Sequence, residues 1–168
     1  DVTDSTLRFS GSLVAQQQIQ QTLQLMMPEI RSASQSNLGG YPIGQASTGT
    51  FEFYSDIDRN GTFDKVRYFL NGTTFRKGVV KPTGNPLQYV TSTEDVIDLV
   101  SNIIPSNQIF TYYDANATSG LSTPLPQPVD VLKVKTVKVS LVANQGTTNV
   151  PAIIGVEDEA TIRNLRYK

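Results

Sequence analysis

The sequence predicts an α+β domain in which an N-terminal helix packs on an antiparallel β-meander and a second, short helix follows. Three observations predict it. Apolar residues recur at helical spacing from Ser12 to Ala33, strict alternation of apolar and polar residues begins after Thr50, and a capping sequence opens a second helical pattern over 92–104. A chain of 168 residues suits one domain spanning 1–168, because a single hydrophobic core serves about 100–200 residues.

The first helix is expected over 12–34. Ala15, Ile19, Leu23, Met26, Ile30 and Ala33 form one stripe, and Gln16, Gln17, Gln20, Gln21 and Gln24 fill the uncharged remainder. Pro28 lacks an amide donor and crowds the preceding turn, which predicts a kink or a break near 24–27. Asn37-Leu38-Gly39-Gly40 stops the helix, and a loop is expected over 40–49.

Phe51, Phe53 and Ser55 then share one strand face, and Val66, Tyr68 and Leu70 alternate with Lys65, Arg67 and Phe69 in a second strand. Their short connection predicts an antiparallel hairpin. Asn71-Gly72 is a tight-turn sequence, so Thr74 to Val80 extends the pair into a meander that ends at Pro82, Gly84 and Pro86. Thr91 can cap a helix with Glu94 three residues on, and Val96, Leu99, Val100 and Ile103 would form its apolar face. Ile109 to Tyr113 reads as a strand, 114–128 as a polar surface excursion, and Val131 to Val142 as the longest strand, with a bulge at Val131-Leu132. Asn144 to Asn149 is a turn, and Ile162 with Leu165 anchors a last strand.

Composition narrows the chemistry. The net charge is −1 and only 17% of residues are charged, so nucleic acid is not an expected partner, since phosphate neutralisation needs concentrated Lys and Arg. The chain contains no Cys, His or Trp. That removes disulfides, Ser-His-Asp triads, Cys-His pairs and ordinary zinc sites, and no catalytic residue is assigned. No run of 18 apolar residues occurs.

One segment carries ligand chemistry. In Asp56-Ile57-Asp58-Arg59-Asn60-Gly61-Thr62-Phe63-Asp64, the alternate residues Asp56, Asp58 and Asn60 can turn oxygens inward, Gly61 allows a sharp turn, Thr62 offers a carbonyl and Asp64 can ligate directly or through water. This is the first half of a Ca2+ loop. Arg67 stands where such a loop would place a bidentate glutamate. The other reading is a polar hairpin whose Asp and Asn side chains bond turn amides.

Other groups are read more plainly. Tyr112, Tyr113 and Asp114 fit sugar stacking or, more simply, core packing; Gly39-Gly40 with Gly44 is an ordinary loop; Glu157-Asp158-Glu159 is a solvated one. Asn60-Gly61-Thr62, Asn71-Gly72-Thr73 and Asn116-Ala117-Thr118 match the glycosylation acceptor pattern. Glu52, Glu94 and Glu157 are the carboxylates from which a glycosidase-like pair would have to come.

Several segments together resemble the minor type IV pilins and pseudopilins of the prepilin-type family. They are the helix ending Leu25-Met26-Met27-Pro28-Glu29-Ile30-Arg31-Ser32-Ala33, the hairpin 51–61 with its return Lys65-Val66-Arg67-Tyr68-Phe69-Leu70, the strand Ile109-Phe110-Thr111-Tyr112-Tyr113-Asp114, and the late strand 134–142 followed by Thr161-Ile162-Arg163-Asn164-Leu165. The resemblance implies a pilin-like head, a non-enzymatic structural role in an extracellular pilus or pseudopilus, and other pilin or pseudopilin subunits as partners. It also implies an extracytoplasmic location and a precursor anchored by an apolar helix ahead of Asp1. The alternative is a secreted or surface-anchored adhesion module that holds a glycan or a protein.

Overall fold

The computed structural model describes residues 2–105, 108–116, 122–147 and 149–166, with backbone alone for 2 and 4–10. Among the described residues one α-helix, α1 (Val2–Arg31), precedes eight strands in two antiparallel sheets. The first sheet is a meander of β1 (Ile43–Ala46), β2 (Thr50–Ser55), β3 (Asp64–Asn71), β4 (Thr74–Val80) and β5 (Asp95–Val100) in that order. The second contains β6 (Phe110–Tyr113), β7 (Thr136–Asn144) and β8 (Ile153–Thr161).

This corrects the expected α+β architecture: the fold is mostly β, built on two sheets, and it is neither the pilin-like helix on one meander nor a fold with a second helix. At 92–104 a single 3-10 turn, Thr91–Thr93, leads into β5, which pairs antiparallel with β4. Two forces favour the strand. Val96, Ile97 and Val100 are β-branched, and without β5 the polar edge of β4 would be left open. Nor does Glu94 fold back as a capping residue. Its carboxylate reaches Arg67, accepting from Nε at 2.9 Å and from Nη2 at 2.7 Å. Gly78, paired with Arg67 across β3 and β4, makes room for it, since a Cβ there would stand 2.2 Å from Glu94 Oε1.

Other boundaries moved for similar reasons. β1 lies inside the expected 40–49 loop, too short and glycine-containing to show alternation, and pairs with β2 through a register shift. β8 was missed because Glu157, Asp158 and Glu159 all stand exposed on it, which masks the period, while Ile162 and Leu165 are buried at a 3-10 turn rather than in a strand. Val131–Lys133 is likewise a 3-10 turn ahead of β7. The helix starts well before Ser12 and continues through the exposed Pro28.

The hairpins follow the sequence pattern. β2 and β3 alternate buried and half-buried positions, and Gly72, at φ 63°, closes the β3–β4 turn in the left-handed region that glycine favours. Two corners join the sheets. Ile103 bridges Ala143 of β7 and donates to Thr73 O at 2.9 Å, and the amides of Ile109 and Phe110 both donate to Thr48 O at 3.0 Å.

One core results. Phe51, Phe53, Tyr68 and Phe75 stack in a row along the first sheet, and Phe51 and Phe75 meet Phe110 and Tyr112 of the second in tilted contacts at centroid separations of 5.7–6.2 Å. Against this layer α1 buries Ile19, Leu23, Met26, Met27 and Ile30, the stripe read from the sequence together with Met27. The helix lies chiefly along β8 and also touches β2, β5 and β7.

Candidate metal centre

The β2–β3 hairpin positions the acidic loop. Its last register pair is Ser55 with Asp64, and beyond that pair the strands part into 56–63. Asp56 organises the turn, because its Oδ1 accepts from the Asn60 amide and its Oδ2 from the Gly61 amide, both at 3.0 Å. Asn60 Oδ1 in turn accepts from the Thr62 amide at 2.8 Å and from the Thr62 hydroxyl. Two residues adopt left-handed backbone, Arg59 at φ 57° and Gly61 at φ 86°. Gly61 does so without strain, whereas at Arg59 the Cβ makes this conformation sterically costly.

Three segments meet at this loop. The Phe63 amide donates to Asn37 Oδ1 at 2.7 Å, and the Tyr89 hydroxyl donates to Phe63 O at 2.7 Å. Lys81, one residue beyond β4, places Nζ 2.7 Å from Asp58 Oδ2. This hydrogen bond is the main reason the Asp58 carboxyl is held below its ordinary pKa.

Asp64 is the anomaly. The residue is 0% exposed and neither carboxylate oxygen has a hydrogen-bond partner. Burial pushes its pKa up most and the negative charge of Asp58 pushes the same way; the Lys81 charge opposes them, with smaller contributions from Asp56, which raises the pKa, and the Ile57 amide, which lowers it. Leaving a buried carboxylate unpaired costs several kcal/mol. A cation beside Asp64 would remove that cost.

The residues expected to ligate are thus brought to one loop, with Asp56, Asp58 and Asp64 close enough to shift Asp64 electrostatically. Their side chains do not converge on one point. Among the described residues no group of three His, Cys, Asp or Glu side chains stands at metal-holding spacing. The cause is local, since Asp56 is turned to two backbone amides and Asp58 to Lys81. Arg67, at the place of a bidentate glutamate, is turned away to Glu94 and lies 3.9 Å over the Phe69 ring. The donor set still fits a hard cation, with carboxylate oxygens from Asp56, Asp58 and Asp64, the Asn60 amide and the Thr62 carbonyl. Lys81, Asn37 and Tyr89 were not found from the sequence, because only the strand pairing brings them to the loop.

The remaining candidates resolve into packing or ion pairs. Glu52 and Glu94 line one cleft with Gln45, Lys65, Arg67, Val80 and Thr91, but Glu52 pairs with Lys65 at 3.2 Å and Glu94 with Arg67. Glu157 is on the other sheet, 3.3 Å from Lys138. Tyr112 is buried and donates to Ser47 O at 2.7 Å, so its ring is core and presents no face to a sugar. Of the acceptor pattern at 116–118, Ala117 and Thr118 lie outside the described residues. Compared with known proteins, the chain matches no family model and no curated protein.

Proposed function

We propose that this domain is a non-enzymatic structural subunit of an extracellular assembly of the pilus or pseudopilus type, and that calcium held by Asp56, Asp58, Asn60, Thr62 and Asp64 stabilises it. The observation that carries the calcium reading is Asp64, a fully buried carboxylate with no partner, facing a loop that already supplies further acidic and amide oxygens. Water would complete the shell where Arg67 replaces a glutamate, and the missing ligand implies moderate to low affinity, suited to a compartment rich in calcium. Bound calcium would neutralise Asp64 and fix the loop between Ser55 and Asp64. It would do no chemistry on a substrate.

The subunit role is supported by the helix. At about 1.5 Å per residue, the 30 residues of α1 extend about 45 Å. No charged residue falls between Arg8 and Glu29. Leu13, Val14 and Leu25 are 46%, 52% and 67% exposed on that helix, among exposed glutamines. An uncharged face carrying apolar side chains can pack against the same helix of a neighbouring copy at little desolvation cost. No helix among the described residues is long and apolar enough to cross a membrane; anchoring belongs to the proposed precursor.

Cysteine chemistry tests this reading cleanly, because the chain has no Cys. Val14→Cys on cells making the full-length protein should form disulfide-linked dimers under mild oxidation, while Thr83→Cys, in the β4–β5 connection, should not. Monomers alone from both variants, with the protein present outside the cytoplasm, would reject helix-mediated assembly.

A further inference from the structure

The loop already holds one cation, an ammonium from this chain. The antiparallel register sets Val80 opposite Lys65, the residue after Asp64, so Lys81 leaves the sheet beside the loop and meets Asp58 at 2.7 Å. Asp58 occupies the third position of the ligand pattern, and a calcium ion about 2.3–2.6 Å from this carboxylate would stand beside the ammonium that Oδ2 now holds, a divalent charge against a monovalent one. The lysine is free to leave. Its side chain is 61% exposed, and exposed ion pairs are weak enough to exchange with water.

We infer that Lys81 is an internal counter-ion that calcium displaces from Asp58, so that this lysine sets the calcium affinity of the loop. The inference rests on the calcium reading above and deepens it. Without calcium, the ammonium stabilises Asp58 close to Asp56 and Asp64; with calcium, it is repelled by the divalent charge and turns into solvent. The displacement also has a structural consequence. The connection 81–90 is fastened to the loop at both ends, by Lys81 on Asp58 and by the Tyr89 hydroxyl on Phe63 O, with the Tyr89 ring 5.2 Å from Tyr54 in edge-on contact. Calcium therefore releases one fastening and leaves the other, which makes the connection responsive to loop occupancy.

The test is a calcium titration by calorimetry on the wild-type domain, Lys81→Met, Lys81→Arg and Lys133→Met, the last removing the same charge from the Val131–Lys133 turn. Lys81→Met is expected to bind calcium about 3–10-fold more tightly, the scale of a lost surface ion pair plus relieved repulsion. Lys81→Arg and Lys133→Met should stay close to wild type. Wild-type binding with an unchanged or weaker Lys81→Met overturns the counter-ion role and leaves the calcium reading standing. Equal tightening in Lys81→Met and Lys133→Met overturns it too, because net charge alone would then explain the gain. No heat in any variant at millimolar calcium overturns the calcium reading and this inference with it.

Discussion

The Tyr68 hydroxyl, on β3, donates a 2.6 Å hydrogen bond to Glu29 Oε2 in the last turn of α1. The other glutamate oxygen lies 2.6 Å from Lys77 Nζ on β4, and both charged side chains are less than one-fifth exposed. This triad fixes how the end of the helix meets the first sheet. It does so beside the apolar seam of Met26, Met27 and Ile30.

Removing one charge of that pair leaves the other half-desolvated. Glu29→Met is expected to destabilise the domain by about 3 kcal/mol, the scale of breaking a buried pair, while Glu29→Met with Lys77→Met should recover most of the loss. Denaturant unfolding of the two single variants and the double variant checks this. Strictly additive losses would show that the two groups do not interact.

Leu23 is 3% exposed in the seam between α1 and the sheets. Leu23→Ala should cost about 2–5 kcal/mol, as a deleted core side chain does. Leu25, two residues on and 67% exposed, should lose less than about 0.5 kcal/mol as Ala. Equal effects at the two positions would mean that the helix presents a different face to the core.

Tyr68 and Tyr112 both have pKa values raised far above the ordinary tyrosine value of 10.0, in each case chiefly by burial, with the Glu29 charge adding to the shift at Tyr68. A raised folded pKa contributes stability that is fully present below the unfolded value and is lost as the pH rises through the folded one. Two of the seven tyrosines should therefore stay protonated until the sheets unfold in alkali. Phenolate absorbance recorded alongside circular dichroism tests this, and ionisation of all seven with the sheets intact would contradict the packing.

Periodicity made much of this legible and misled in identifiable places. The helical stripe and the β2–β3–β4 meander are local patterns, and each is fixed by side chains that alternate or recur within a few residues. β5 was misread because Val96, Leu99, Val100 and Ile103 fit a helix as well as a strand over so short a run. What decides it is the edge of β4, along which β5 pairs, while Glu94 is taken by Arg67 of β3 instead of capping a helix. β8 was invisible because an edge strand can carry three consecutive acidic residues. The acidic loop was legible as a spacing of oxygens, yet the buried state of Asp64 and the pairing of Asp58 with Lys81 depend on strand register, which single-sequence reading does not supply.

Thermal unfolding of the wild-type domain and of Asp64→Asn, each with excess calcium and with chelator, is the most direct measurement. A cation that binds only the folded state adds about 2.7 kcal/mol when it is a hundredfold above its dissociation constant. The wild type should melt higher in calcium than in chelator. Asp64→Asn should melt at one temperature in both, and in chelator no lower than the wild type, because it no longer buries an unpaired charge. A wild-type melting temperature indifferent to calcium, or an Asp64→Asn variant that still responds to it as fully as the wild type, would contradict the account and leave the Asp56–Asp64 segment as a polar hairpin turn.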